Sequence, residues 1–189
     1  MGRAQNGVLA YDSFLSVLGT KRGSNRQLST DEALYCLRNS SGSIFYYLTE
    51  GGPLHRENGP AVIHSEGGEE WFSNGKRHRE DGPAVTRSDG RKEWWVNDEL
   101  HREGKPAIVA PGGREEWYVH NKKHRLDGPA FSYPSGYSEW WVNDKLHRED
   151  GPAVIYVDRI GQDEWYWQGQ RILDPRSHPQ LAKFVNGEN

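Results

Sequence analysis

Cysteine is nearly absent from this 189-residue chain: Cys36 stands alone. An intramolecular disulfide and a cysteine framework for zinc are both excluded. Long apolar runs are missing as well. Nothing approaches the ~18–20 apolar residues of a membrane span, and residues 1–20 lack a basic stretch followed by an uninterrupted apolar run. The expectation is a cytoplasmic protein with no membrane partner. No excess of one charge exists either. The formal net charge is -3 and the pI about 6.2, so there is no global basic field to hold a nucleic-acid backbone and no acidic surplus of the kind a DNA mimic needs. Hydrophobic residues make up only 34% of the sequence, which limits the core. What is plentiful is aromatic side chains (12%), with 22 Gly and 10 Pro at short intervals, the composition of a β-rich, turn-dense protein.

The abundance is organised. "LHRENGPAV" (54–62), "RHREDGPAV" (77–85), "LHREGKPAI" (100–108), "KHRLDGPAF" (123–131) and "LHREDGPAV" (146–154) are copies of one another. His55, His78, His101, His124 and His147 follow at intervals of 23 residues, as do Trp71, Trp94, Trp117 and Trp140. A last repeat drifts, with two extra residues, Trp165 in the Trp column and Ile172 where His is expected. Terminal repeats depart from the pattern when they cap an array.

Within a repeat such as "KEWWVNDELHR" (92–102), two extended segments flank Asn97-Asp98. Asn74-Gly75, Asn121, Asn143-Asp144 and Gln168-Gly169 stand there in the sister repeats. These residues tolerate the positive φ of a type I′ turn and predict two-residue hairpins. That register sets Trp95 opposite Leu100, Trp94 opposite His101 and Glu93 opposite Arg102. Extended to the other repeats, it predicts cross-strand pairs Glu70/Arg79, Glu116/Arg125 and Glu139/Arg148. Trp94, Val96 and His101 would share one face, and Trp95 and Leu100 the other.

Residues 1–42 lie outside the repeats. "DSFLSVLG" has helical apolar spacing ending at Gly19, and "STDEALYCLRN" opens with a capping box from Ser29 to Glu32, so two short helices are expected. The repeats occupy 43–173. A tail over 174–189 contains "SHPQLAKFV", a short helix started by Pro179 that would cover the last strand edge.

A 23-residue hairpin repeat with an aromatic-initiated strand, an Asn-Gly-type turn and then His resembles the MORN-repeat class, in particular a bacterial and phage variant some of whose members are labelled antitoxins. The resemblance spans residues ~43–173 by the repeat criterion. It departs from the usual pattern in placing "HRxDGPA" where that class has His-Gly, so lipid binding does not carry over. It implies a mainly β fold, a single-layer twisted antiparallel meander growing by two strands per repeat. Equivalent residues of neighbouring repeats would then lie roughly 10 Å apart.

That spacing disposes of the metal reading. Two His ligands must come within about 3–4 Å of each other around one zinc, far closer than ladder neighbours stand. Each His is expected instead to stack on its Trp and donate to a bend carbonyl, and no cofactor is implied. Catalysis is disfavoured, since repeated copies would need repeated pockets and the repeats hold no Ser or Cys nucleophile.

The first aromatic of each strand is always Trp, as a structural stack would be; the second varies through Phe72, Trp95, Tyr118, Trp141 and Tyr166. A sheet one layer thick cannot hide both columns. The second column, with Arg79, Arg102, Arg125 and Arg148, is therefore expected to form a partner-binding surface. Lys105, Phe131 and Tyr137, which break the consensus, add specificity. The expected function is a non-catalytic module that binds and neutralises another protein, either a toxin or a bacterial defence enzyme such as a CRISPR effector. Self-association into a homodimer is the other way to cover the aromatics. A glycan- or nucleic-acid-binding ladder is the alternative; nucleic acid is disfavoured because each Arg is expected to face a Glu.

Overall fold

A computed structural model describes residues 35–159 and 161–187. The protein is mainly β, an antiparallel hairpin meander, and it divides into two compact units, residues 1–98 and 99–189. The first holds β1 (Tyr35–Arg38), β2 (Ile44–Tyr47), β3 (Val62–Ile63), β4 (Gly68–Glu70), β5 (Phe72–Ser73), β6 (Lys76–Arg77), β7 (Val85–Arg87), β8 (Lys92–Glu93) and β9 (Trp95–Val96). Its sheet runs β1-β2-β3-β4-β7-β8, and β5 pairs only with β6. The second holds β10 (Glu99–Leu100), β11 (Ile108–Val109), β12 (Glu115–Glu116), β13 (Tyr118–Val119), β14 (Lys122–Lys123), β15 (Phe131–Ser132), β16 (Ser138–Glu139), β17 (Trp141–Val142), β18 (Lys145–Leu146), β19 (Val154–Ile155), β20 (Trp165–Trp167), β21 (Gln170–Ile172) and helix α1 (Leu181–Val185). Its sheet runs β11-β12-β15-β16-β19, with hairpins β13–β14, β17–β18 and β20–β21 beside it.

Each repeat therefore feeds two ladders, where the sequence pattern suggests one. The chain changes ladder at the first Trp. Glu139 in β16 pairs with Phe131 and Val154, whereas Trp141 in β17 pairs with Leu146 of its own hairpin. Trp140 lies between them and belongs to neither strand. The hairpin register and its turn are as expected: Asn97 and Asp98 have φ 52° and 66°, Asn143 and Asp144 51° and 61°, and Asn74 and Gly75 49° and 82°. In β10–β14 the turn residues are His120 and Asn121, at φ 47° and 63°.

The core is built from small residues. Ala61, Ala84, Ala107, Ala130 and Ala153, each just after the bend proline, are all 0% exposed, beside buried Val62, Val85, Ile108 and Val154. The Ala carbonyl accepts the N–H of the first aromatic in the same ladder (Trp71 to Ala84 2.7 Å, Trp117 to Ala130 2.7 Å, Trp140 to Ala153 2.8 Å). A larger side chain would push that contact open.

The expected N-terminal helices are not supported. "DSFLSVLG" and the start of "STDEALYCLRN" lie outside the described residues, but Tyr35–Arg38, the C-terminal part of the latter, is strand β1, paired in register with β2 from Tyr35↔Tyr47 to Arg38↔Ile44. A partner strand as apolar as "IFYY" outweighs a local capping signal, because helix propensity is only a weak prior. The C-terminal helix does form, but it packs on rings. Leu181 is fully buried, Phe184 lies 6.0 Å from Trp165, and His178, just before the helix, lies 4.8 Å from Trp167. The outer edge of β21 is left exposed at Gln170 and Arg171, contrary to the expected covering of that edge.

Candidate protein-binding surface

The arginine column is a joint. Arg79 lies 3.8 Å above Trp71, Arg125 3.8 Å above Trp117 and Arg148 4.0 Å above Trp140, while Arg56 sits 4.0 Å above Tyr46, which takes the Trp position in the first copy. Nε donates to the Asp two residues on (Arg79 to Asp81 2.7 Å, Arg125 to Asp127 2.8 Å, Arg148 to Asp150 2.7 Å). Nη1 donates to the Pro carbonyl four residues on, including Pro106 from Arg102 at 3.1 Å and Pro152 from Arg148 at 3.2 Å. The glycine between them leaves room for the guanidinium: a Cβ at Gly82 would stand 2.9 Å from Arg79 Cζ, and at Gly128 2.7 Å from Arg125 Cζ. "HRxDGPA" is thus one mechanical part, copied. The guanidinium hydrogen bond holds the Asp81 and Asp127 carboxyls below the usual range.

This corrects two expectations. Among the described residues the cross-strand pairs Glu70/Arg79, Glu116/Arg125 and Glu139/Arg148 do not form, because the change of ladder at Trp carries each Glu away from its hairpin. The histidines accept rather than donate. Nδ1 of His55 takes the N–H of Asn74 at 3.1 Å, that of His124 takes Asn143 at 3.3 Å, and that of His147 takes Gln168 at 3.3 Å. These histidines, and His101 to His120 at 3.3 Å, tie their own repeats to the next turn, whereas His78 Nδ1 is buried without a partner.

In each unit the glutamates lie beneath the second aromatics. Trp95 Nε1 donates to Glu93 at 3.0 Å, Trp141 Nε1 to Glu139 at 2.7 Å, Tyr118 Oη to Glu116 at 3.2 Å and Tyr166 Oη to Glu164 at 2.9 Å. Glu93 and Glu116 are buried. Arg87 and Arg91 each place Nε 3.0 Å from Glu93. Glu70 receives His64 and Arg77, both at 3.0 Å. Burial pushes the Glu70 carboxyl up, but hydrogen bonds and charge from His64 and Arg77 outweigh it and hold the group below its ordinary value.

In β15–β19 the same glutamate position is dressed differently. Tyr137, not Arg, reaches Glu139 through Oη at 2.5 Å. Burial, then that bond to the carboxylate, raises the phenol well above its ordinary pKa, so it stays a donor. Phe131, Tyr133, Tyr137 and Tyr156 make a continuous patch, with centroid distances of 5.2 Å (Phe131–Tyr133), 6.1 Å (Phe131–Tyr137) and 5.5 Å (Tyr137–Tyr156). Lys123 lies 4.8 Å over Phe131 and 5.1 Å over Trp141, and Arg159 lies 5.2 Å over Tyr156. Tyr133 is 42% and neighbouring Val157 48% exposed.

Of the residues expected to bind a partner, Trp141, Phe131 and Tyr137 come together here, joined by Tyr133 and Tyr156, which the sequence reading missed. The signal lay in the alternation Phe131-x-Tyr133 and Tyr137-x-Glu139, period two on one strand face. Tyr118 and Tyr166 sit on their own glutamates, Phe72 is buried, and Trp95 lies 5.4 Å from Arg77. Arg79, Arg125 and Arg148 stack on the first aromatic column instead of joining the second. Lys105 is exposed in the bend that lacks the usual Asp. Leu126, 79% exposed where other repeats have Glu, borders a cleft of about 830 Å³ with Arg125, Trp140, His147 and Asp150.

Among the described residues no group of three His, Cys, Asp or Glu side chains could hold a metal ion, and no helix is long and apolar enough to cross a membrane. Compared with known proteins, the chain matches no family model and no curated protein.

Proposed function

We propose that the protein is a non-catalytic, MORN-like repeat module that binds and neutralises another protein, a toxin or a bacterial defence enzyme such as a CRISPR effector. The observation that carries this reading is the patch Phe131, Tyr133, Tyr137, Trp141 and Tyr156 with Lys123 and Arg159. Tyrosine, tryptophan and arginine dominate the energetics of protein interfaces, and their rings here are already held by Glu139 and by one another, so little ordering is left to the moment of binding. Protein is favoured over a nucleic-acid backbone because Arg77, Arg87 and Arg91 each lie against a glutamate, which phosphate would have to displace.

The test is capture from a lysate of the native host with a photoreactive phenylalanine analogue at position 133, compared with one at position 87. A single stoichiometric protein crosslinked from 133, and lost in a Tyr156→Ala background, is the expected result. Crosslinks that are equal from the two positions, or an eluate containing only the chain itself as a dimer, would overturn the proposal.

A further inference from the structure

Three hairpins in the array give the same pair of backbone groups, one N–H and one C=O, to the turn that follows them. Asp144 N–H donates to Lys123 O at 3.0 Å while its carboxylate accepts Lys123 N–H at 2.7 Å. Asp98 does the same to Arg77 (3.0 and 2.8 Å) and Asn121 to Leu100 (3.0 and 2.8 Å). Gly75 and Gly169, which lack the side chain, keep the N–H bond alone, to Leu54 and Leu146 at 2.7 and 2.8 Å. Lys123, Leu146 and Arg77 stand opposite the second aromatic of their own hairpins, so their N–H and C=O point outward.

Arg171 has that register in the last hairpin, opposite Tyr166. Among the described residues no turn sits on it. Two further features mark this end. Ile172 replaces the His that accepts the next turn, and Leu173, where other repeats stack Arg on the first aromatic, is 89% exposed. Array ends are ordinarily sealed by a polar cap. Here the C-terminal segment lies on Trp165 and Trp167 and leaves both features open.

We infer that the outer edge at Arg171–Leu173 is a docking site for the tip of a partner protein's β-hairpin, a type I′ turn with Asn or Asp at its second position and an apolar residue beside it. The three Asx turns inside the array set this chemistry: the visiting N–H donates to Arg171 O, its side-chain oxygen accepts Arg171 N–H, and the apolar neighbour covers Leu173. A second copy is a poorer occupant, because the turns at 74–75, 97–98, 120–121, 143–144 and 168–169 are each already engaged in their own chain. The site goes beyond the tyrosine patch and does not depend on it.

The probe is a disulfide-closed peptide reproducing residues 140–149, titrated into the isotopically labelled full chain. The Arg171 amide shifts and its hydrogen exchange slows about tenfold, and changing the peptide's Asp144 equivalent to Ala weakens binding about tenfold, the effect of one charge-assisted hydrogen bond. Arg171→Pro removes a donor that no described hydrogen bond uses, as an edge strand tolerates, and abolishes binding. Arg171→Ala keeps the donor and binds as the wild type, and Leu173→Ser weakens binding several-fold. Shifts that spare Arg171, no response to the peptide, Arg171→Ala failing as Arg171→Pro does, or peptide-free self-association abolished by Arg171→Pro would each overturn the inference. A tyrosine patch that still captures its partner in the Arg171→Pro chain is the result expected if the two sites are separate.

Discussion

Strands β7–β8 and β15–β16 are the same piece of chain written in two chemistries. Each presents a glutamate to the second aromatic, Glu93 to Trp95 and Glu139 to Trp141. In the first, the carboxylate is paired with the guanidinium groups of Arg87 and Arg91; in the second it accepts the uncharged phenol of Tyr137, with the Lys123 ammonium at 4.0 Å. The joint that closes the repeat does not change: Arg79 over Trp71 and Arg125 over Trp117 both stand at 3.8 Å. The comparison separates positions that build the repeat from positions that dress it. The glutamate needs donors, and either guanidinium or phenol can supply them. Residues flanking it can therefore drift from charged to aromatic without disturbing the fold, which is the freedom that partner selection requires.

The largest effects should be indifferent to that difference. Ala84→Leu and Ala130→Leu each force a branched side chain into a site with no exposed surface and should cost about 3 kcal/mol by the overpacking range, equally in both regions, read from denaturant midpoints. Unequal losses would mean the alanine site is not packed alike in the two regions. Next come Gly82→Ala and Gly128→Ala, which displace the guanidinium from its ring at about 1–2 kcal/mol. In an Arg79→Ala background Gly82→Ala should cost much less, and simple additivity would refute the joint. The comparison itself is broken by Glu93→Gln against Glu139→Gln. Removing a buried carboxylate from two arginines should cost about 2 kcal/mol, whereas at Glu139 the Trp141 indole can still donate to the amide oxygen and the Tyr137 hydroxyl can turn to accept from the amide NH2, for a loss below about 1 kcal/mol. Added salt should narrow the gap, since Arg87 is half exposed.

The smallest effect is an acid one. Glu70 is held below its ordinary value, so its ion pairs contribute stability that is complete above the unfolded pKa of about 4.3 and drains away as pH falls through the lower folded value. Thermal scans between neutral pH and this range should show a modest fall in Tm that Glu70→Gln reduces, the remainder belonging to Asp81 and Asp127.

The hairpin turns, the 23-residue period and the separation of two aromatic columns were legible in the sequence, because Asn-Gly and Asn-Asp carry their conformational demand in their own chemistry. The change of ladder at Trp140 was not. "EWWV" reads as one extended run, and only the competing pairing of Glu139 with Val154 splits it. The alanines escaped because a hydrophobic search seeks large residues, yet a site with no room selects the smallest. A straight hairpin register sets the arginines opposite glutamates, whereas the nearer Asp two residues on captures Arg79, Arg125 and Arg148 first. The tyrosine patch was half seen, through Phe131 and Tyr137, because attention to the Trp columns hides the alternate positions two residues away.

The bond from histidine to the following turn spans 19 residues for His55, His101 and His124 and 21 for His147, and the Asx bonds span 21. Among the described residues, these side-chain links between successive repeats each close a loop of 19 to 21 residues. Such a topology folds like a zipper: order can start at any repeat and spread one copy at a time, each step closing a loop of about the same length.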